Sequence, residues 1–155
     1  MPALPREVDL VEVGPRDGFQ SENTVLPTRN KCDAIRGLLE AGLREIQVSS
    51  FVSPSRVPQL ADADELLASL PRHSGATYLV LTLNAKGVER ALKSPADRIE
   101  VSLSLSDAHS RRNTGMTREQ ALAEAQEMIA MCRRAKRPVR LSLQCAFGCA
   151  IEGQV

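Results

Sequence analysis

The sequence predicts an α/β protein, a (β/α)8 TIM barrel of which about the first five strands are present, and three observations carry that prediction. Short β-branched runs alternate with stretches of helical periodicity along the whole chain. Five strands separated by four helices imply parallel strands joined by crossovers, as in a barrel or an open doubly wound sheet. The first strand-to-helix turn, GPRDGFQ at 14–20, lacks the GxGxxG spacing of a dinucleotide-binding sheet, which favours the barrel. A complete barrel takes about 250 residues. The 155 residues are therefore expected to form the N-terminal portion of a single barrel domain, with strands six to eight outside them.

Each element has its own signal. Residues 8–13 (VDLVEV) read as the first strand, and 30–41 as a helix with Cys32, Ile35, Leu38 and Leu39 on one face and Gly42 as its stop. Residues 45–50 (EIQVSS) read as a second strand. The helix at 60–70 carries Leu60, Ala63, Leu66, Leu67 and Leu70 and ends at Pro71. Residues 77–82 (TYLVLT) form the third strand, followed by a short helix through Val88, Ala91 and Leu92 that stops before Pro95. In 98–105, Ile99, Val101, Leu103 and Leu105 alternate as a fourth strand. Thr117 with Gln120 then makes a capping box ahead of a stripe of Leu122, Ala125, Met128, Ile129 and Cys132. Pro138 ends that helix, and 139–143 (VRLSL) read as the fifth strand.

Composition narrows the function classes. With 43% apolar and 25% charged residues the chain is expected to fold around one core in water. Twenty basic residues against nineteen acidic ones leave a net charge of +1, too little to recruit nucleic acid or an anionic membrane. No apolar run approaches the eighteen residues of a transmembrane helix. No secretory leader pattern opens the chain, so a cytoplasmic protein with reduced thiols is expected. Cys145 and Cys149 in CAFGC have the spacing of half a zinc site, but no second pair matches it and His73 and His109 lie far away in sequence.

In parallel α/β folds the chemistry sits at the carboxyl ends of the strands. Those positions hold Arg16, Asp17 and Gln20 after strand one, Gln47, Ser49 and Ser50 at the end of strand two, and Thr82 and Asn84 after strand three. Ser104, Ser106 and Asp107 close strand four, and Gln144 and Cys145 close strand five. Loops are polar in any protein, so the setting of Arg16 and Asp17 matters more than their type. Gly14 and Gly18 are expected to turn the backbone tightly around them. A carboxylate there suits a hard divalent cation, and the adjacent guanidinium suits an anionic substrate oxygen. His109 follows strand four on the same rim, in a polar loop with Arg111 and Arg112, whereas His73 belongs to the opposite rim. Nothing adjacent in sequence marks Cys145 or Cys149 as a reactive thiol.

The runs VEVGPRDGFQSE, SSFVSPSRVPQLAD, LTLNAKG and CAFGCAIEG occur in order and span nearly the whole chain. Together they resemble the 3-hydroxy-3-methylglutaryl-CoA lyases, members of the metal-dependent barrel family of carbon–carbon lyases and Claisen-type synthases. The Arg-Asp-Gly-x-Gln core marks the superfamily, and the SFVSP and VPQ segments are more particular to the lyases. The resemblance implies cleavage of a 3-hydroxyacyl thioester to acetyl-CoA and a 3-keto acid, with Mg2+ or Mn2+ as cofactor and an acyl-CoA as partner. By resemblance Asp17 would be a metal ligand, Arg16 the catalytic arginine and Gln20 the residue that orients them. Gln47, Ser49, Asn84 and His109 would bind substrate. The family's other metal ligands, a His-x-His and an Asn, and its mobile loop cysteine would lie beyond Val155.

Departures from the pattern also carry expectations. The lyases usually have Glu where this chain has Gln47, so a neutral amide stands where a carboxylate would face the cation, and Leu83 and Ala150 replace prolines. A Claisen-type synthase or aldolase acting on another acid is therefore the second reading. Five strands leave two open sheet edges, so a homo-oligomer is expected, and an inactive half-barrel association module is the third reading.

Overall fold

The structure is a computed structural model that describes residues 5–72 and 75–155, so His73 lies outside the described residues. Five strands form one sheet in the order β1-β2-β3-β4-β5, and every neighbouring pair is parallel. They are β1 Val11–Glu12, β2 Glu45–Ser50, β3 Thr77–Thr82, β4 Arg98–Ser104 and β5 Val139–Gln144. A doubly wound sheet reverses its strand order at a switch point, whereas this order runs straight through, as barrel closure requires. The sheet curls into half of a barrel with helices outside it. None of the described helices is long and apolar enough to cross a membrane.

Among the described residues the helices are α1 Gly14–Gln20, α2 Thr28–Glu40, α3 Ala63–Ser69, α4 Ala85–Lys93, α5 Asp107–Thr114 and α6 Arg118–Arg134, with a 3-10 turn at Pro58–Leu60. The main core lies between sheet and helices. Ile46, Val48, Tyr78, Val80, Ile99 and Val101 from the strands meet Ile35, Leu66, Leu67, Val88 and Met128 from the helices. At the amino-terminal end of the sheet Arg98 donates to Glu45 at 2.9 Å, and Arg140 lies 3.6 Å from Glu45 and 3.7 Å from Glu100. These charges tie β2, β4 and β5 together at the end away from the strands' carboxyl ends.

Several sequence expectations need correction. The first strand is two residues long: only Val11 and Glu12 pair with Glu45 and Ile46, while Val8 and Leu10 are 75% and 68% exposed. The segment after it is no tight glycine turn. It is helix α1, with Pro15 in its first turn, where the missing N–H costs nothing. Gly14 and Gly18 accordingly lie outside the positive-φ region. The predicted helix at 60–70 is split into the 3-10 turn and α3.

The polar segment after β4 is also a helix, α5. Sequence periodicity missed it because Ser110 is its only buried residue. Its ends still carry signals: Ser106 Oγ accepts from His109 N–H at 3.0 Å, and Gly115 closes the helix at φ +79°. In α6 the capping box forms as expected, but the buried stripe is Ala121, Ala125, Met128 and Cys132. Leu122 is 49% exposed instead, beside Leu103 and Leu105.

Candidate functional site

The carboxyl ends of the strands open into a cavity of about 570 Å³. Arg16, Gln20, Arg56, Asn84, His109 and Gln144 all line it. Asn113, Thr114 and Met116, from the end of α5 and the turn after it, complete one wall. The volume falls within the range of small-molecule sites.

Arg16 is the best-organised side chain there. It sits in α1, where Arg16 and Asp17 donate their backbone N–H groups to Val13 O at 3.0 and 2.8 Å. The guanidinium Nε donates to Gln47 Oε1 at 2.5 Å, and Nη1 pairs with Asp17 Oδ1 at 2.6 Å. Gln47 is 1% exposed, so its carboxamide is a fixed post rather than a mobile partner. The β2–β3 register slips between Gln47 and Ser49, a bulge of the kind that redirects side chains beside functional sites. Ser49 and Ser50 are fully buried, and their hydroxyls have no hydrogen-bond partner among the described residues.

Asn84 caps α4, accepting from Gly87 N–H at 2.9 Å, which leaves its amide N–H groups uncommitted at the cavity wall. Gly87 must be glycine, because a Cβ there would stand 2.6 Å from Phe51 O. His109 also lines the cavity, and its Nδ1 is buried without a partner among the described residues. Asp17, Gln47 and Ser49 do not line the cavity. Of the positions expected from sequence, the cavity thus gathers Arg16, Gln20, Asn84, His109 and Gln144, with Gln47 and Asp17 reached through Arg16. Arg56, Asn113 and Thr114 were missed. Arg56 belongs to a segment without regular structure, and Asn113 and Thr114 sit on the helix that periodicity did not reveal.

Asp17 is 65% exposed at its side chain and offers one hard oxygen donor beside Arg16. That suits a single position in the shell of a hard divalent ion. The described residues hold no group of three or more His, Cys, Asp or Glu able to complete such a shell.

The CAFGC segment differs from its sequence reading. Ser106 Oγ donates to Cys149 Sγ at 3.0 Å and Ile151 N–H approaches the same sulfur at 3.4 Å, which lowers the Cys149 thiol pKa. The residues responsible include one 43 positions away, which no local motif could show. Glu152 accepts from Asp107 N–H and Ala108 N–H at 3.1 and 3.0 Å, clasping the start of α5. In contrast, burial raises the thiol pKa of Cys32 and of Cys132.

Comparison with known proteins gives a consistent picture. Residues 7–153 match the family model described as HMGL-like. The chain is 39% identical over its full length to the cytoplasmic 3-hydroxy-3-methylglutaryl-CoA lyase of Mus musculus and covers 45% of it. It is 39% identical over its full length to the mitochondrial hydroxymethylglutaryl-CoA lyase of Rattus norvegicus, covering 48%. The crystal structure of the Pseudomonas aeruginosa hydroxymethylglutaryl-CoA lyase superposes with a TM-score of 0.91 at 38% identity, over 98% of this chain and 51% of that one. An HMG-CoA lyase from Acinetobacter baumannii, solved with coenzyme A and 3-methylmalate, gives 0.91 at 35% identity over 100% and 50%. The chain therefore spans about half the length of the relatives it matches.

Proposed function

The chain belongs to the HMGL-like family, and from that premise we propose that it is the N-terminal part of a divalent-metal-dependent carbon–carbon lyase that cleaves 3-hydroxy-3-methylglutaryl-CoA to acetyl-CoA and acetoacetate. The observation that supports this best is Arg16, held between Gln47 and Asp17 at the wall of the cavity. A guanidinium fixed in place before reaction can stabilise charge as it develops, without reorganisation at the moment of bond cleavage.

In this reading the departing acetyl thioester leaves as an enolate, and Arg16 stabilises its oxygen. Asp17 would be this chain's ligand to Mg2+ or Mn2+, which when bound polarises substrate oxygens. Gln47 positions Arg16, and Gln20 lies on the same helix, one turn further on. Asn84 and His109 meet the acyl-CoA from the cavity wall, while Ser49 stands behind it. The protein works in the cytoplasm as a homo-oligomer.

The test is acetyl-CoA release from 3-hydroxy-3-methylglutaryl-CoA by the intact protein. Mg2+-dependent release, lost in Arg16→Ala, is the expected result. Absence of metal-dependent release refutes the reading.

A second reading is favoured by two observations. Gln47 removes a carboxylate from the cation's surroundings, and a neighbouring lyase structure holds 3-methylmalate, a different hydroxy acid. A related lyase or Claisen-type synthase acting on another acid would show release from, or condensation to, that acid's thioester instead.

A further inference from the structure

The cavity is charged in one sense only. Arg16 and Arg56 are the charged side chains that line it, and no Asp or Glu is among the described residues lining it. The two arginines differ in how their charge is met. Arg16 is balanced by Asp17 and held by Gln47. Arg56 forms no ion pair among the described residues. Its one hydrogen bond is a long contact, 3.5 Å from Nη1 to Asn113 O across the cavity wall. A guanidinium carries five donors in a planar fork that matches a carboxylate, so most of what Arg56 can donate is left to a ligand.

We infer that Arg56 is a specificity-determining residue that binds the free carboxylate of the substrate's acyl group, while Arg16 addresses the reacting end. The site thereby selects acyl thioesters that carry a second, anionic end. This inference rests on the reading of the cavity as the substrate site. The geometry suits it: one fixed cation already has its counter-charge, and the other does not. A neutral acyl chain would leave the Arg56 charge facing an apolar group, at the cost of its hydration. Arg56 is exposed and makes no contact on which the fold depends, so it can be replaced without unfolding the chain.

Two thioesters that differ only in the carboxylate separate the outcomes: 3-hydroxy-3-methylglutaryl-CoA and 3-hydroxy-3-methylbutyryl-CoA. Their binding to the intact protein is measured by calorimetry without divalent metal, so that no turnover intervenes. The wild type should bind the first at least roughly tenfold more tightly, the scale of one charge-assisted hydrogen-bonded pair. Arg56→Gln should abolish that preference by weakening only the first ligand, and Arg56→Lys should restore part of it. Equal weakening of both ligands would mean that Arg56 meets the coenzyme portion, and overturns the proposal. So does an unchanged preference in Arg56→Gln, or a wild type that binds neither. The lyase assay fails separately. Lost carboxylate preference with intact acetyl-CoA release supports Arg56, whereas carboxylate selectivity without release leaves Arg56 standing and removes the lyase reading.

Discussion

Arg16 Nε donates to Gln47 Oε1 at 2.5 Å across 31 positions of sequence, joining the helix after β1 to the buried face of β2. Position 47 thus sets where the guanidinium points. Gln47→Leu fills the same space but removes the acceptor, and Arg16 is left with Asp17 alone. In the intact protein kcat should fall about a hundredfold, the scale of a reacting group misplaced by an ångström, with KM little changed. Gln47→Glu keeps the acceptor and adds a charge near Asp17, so it should retain activity and tighten Mg2+ binding. Steady-state kinetics and a metal titration check both. Equal kinetics in wild type and Gln47→Leu would remove Gln47 from a positioning role.

A second prediction concerns stability away from the site. Lys31 is fully buried, and its Nζ donates to Asp62 Oδ1 and to Gln59 O, both at 2.6 Å. Thr28 Oγ1 donates to the other Asp62 oxygen at 2.8 Å. This network pins α2 to the turn before α3. Removing one partner strands a charge, so Asp62→Ala should cost about 3–5 kcal/mol by urea unfolding.

Gly87 makes a third test. Its Cα faces Phe51 O so closely that a methyl group would stand 2.6 Å from that oxygen. Helix propensity alone predicts that Gly87→Ala stabilises α4. The backbone clash predicts the opposite, a loss of about 1–3 kcal/mol, the usual range for overpacking. Thermal unfolding decides between the two signs.

The fourth prediction is a pH dependence. The Ala108 N–H, with the Asp107 N–H beside it, holds the Glu152 carboxyl below its ordinary 4.5. A depressed carboxyl stabilises the fold above its unfolded pKa and loses that contribution as pH falls through the folded one. The difference in urea midpoint between wild type and Glu152→Gln should therefore be constant above about pH 5 and shrink below about pH 4. Alkylation reports the neighbouring thiol. Ser106→Ala should move the pH midpoint of Cys149 modification upward, because the thiolate loses its hydroxyl donor.

What was legible in the sequence depended on how locally it was encoded. Strands at 45–50 and 77–82 are observed at those bounds because β-branched alternation and flanking turn residues specify them directly. Gly42, at φ +97°, is the helix stop expected of it, and the Thr117 capping box closes as its spacing requires. Helix α5 was illegible because it buries almost nothing, leaving no periodicity to read. Leu122 was misassigned for a related reason. Spacing says which residues share a helical face, but not how that face is rotated onto the sheet.

The sequence by itself determined the alternation of strands and helices, their parallel sense, and the kinship carried by the Arg16–Asp17 motif. These rest on short-range sterics and local hydrogen bonding, which act over a few residues. Only the tertiary structure decided the pairing of Arg16 with Gln47, the arrival of Arg56 at the cavity, and the donation of Ser106 to Cys149. Each joins positions far apart along the chain. Their meeting is set by how the sheet curls and how helices seat on it, which depends on packing summed over the whole core rather than on any local motif.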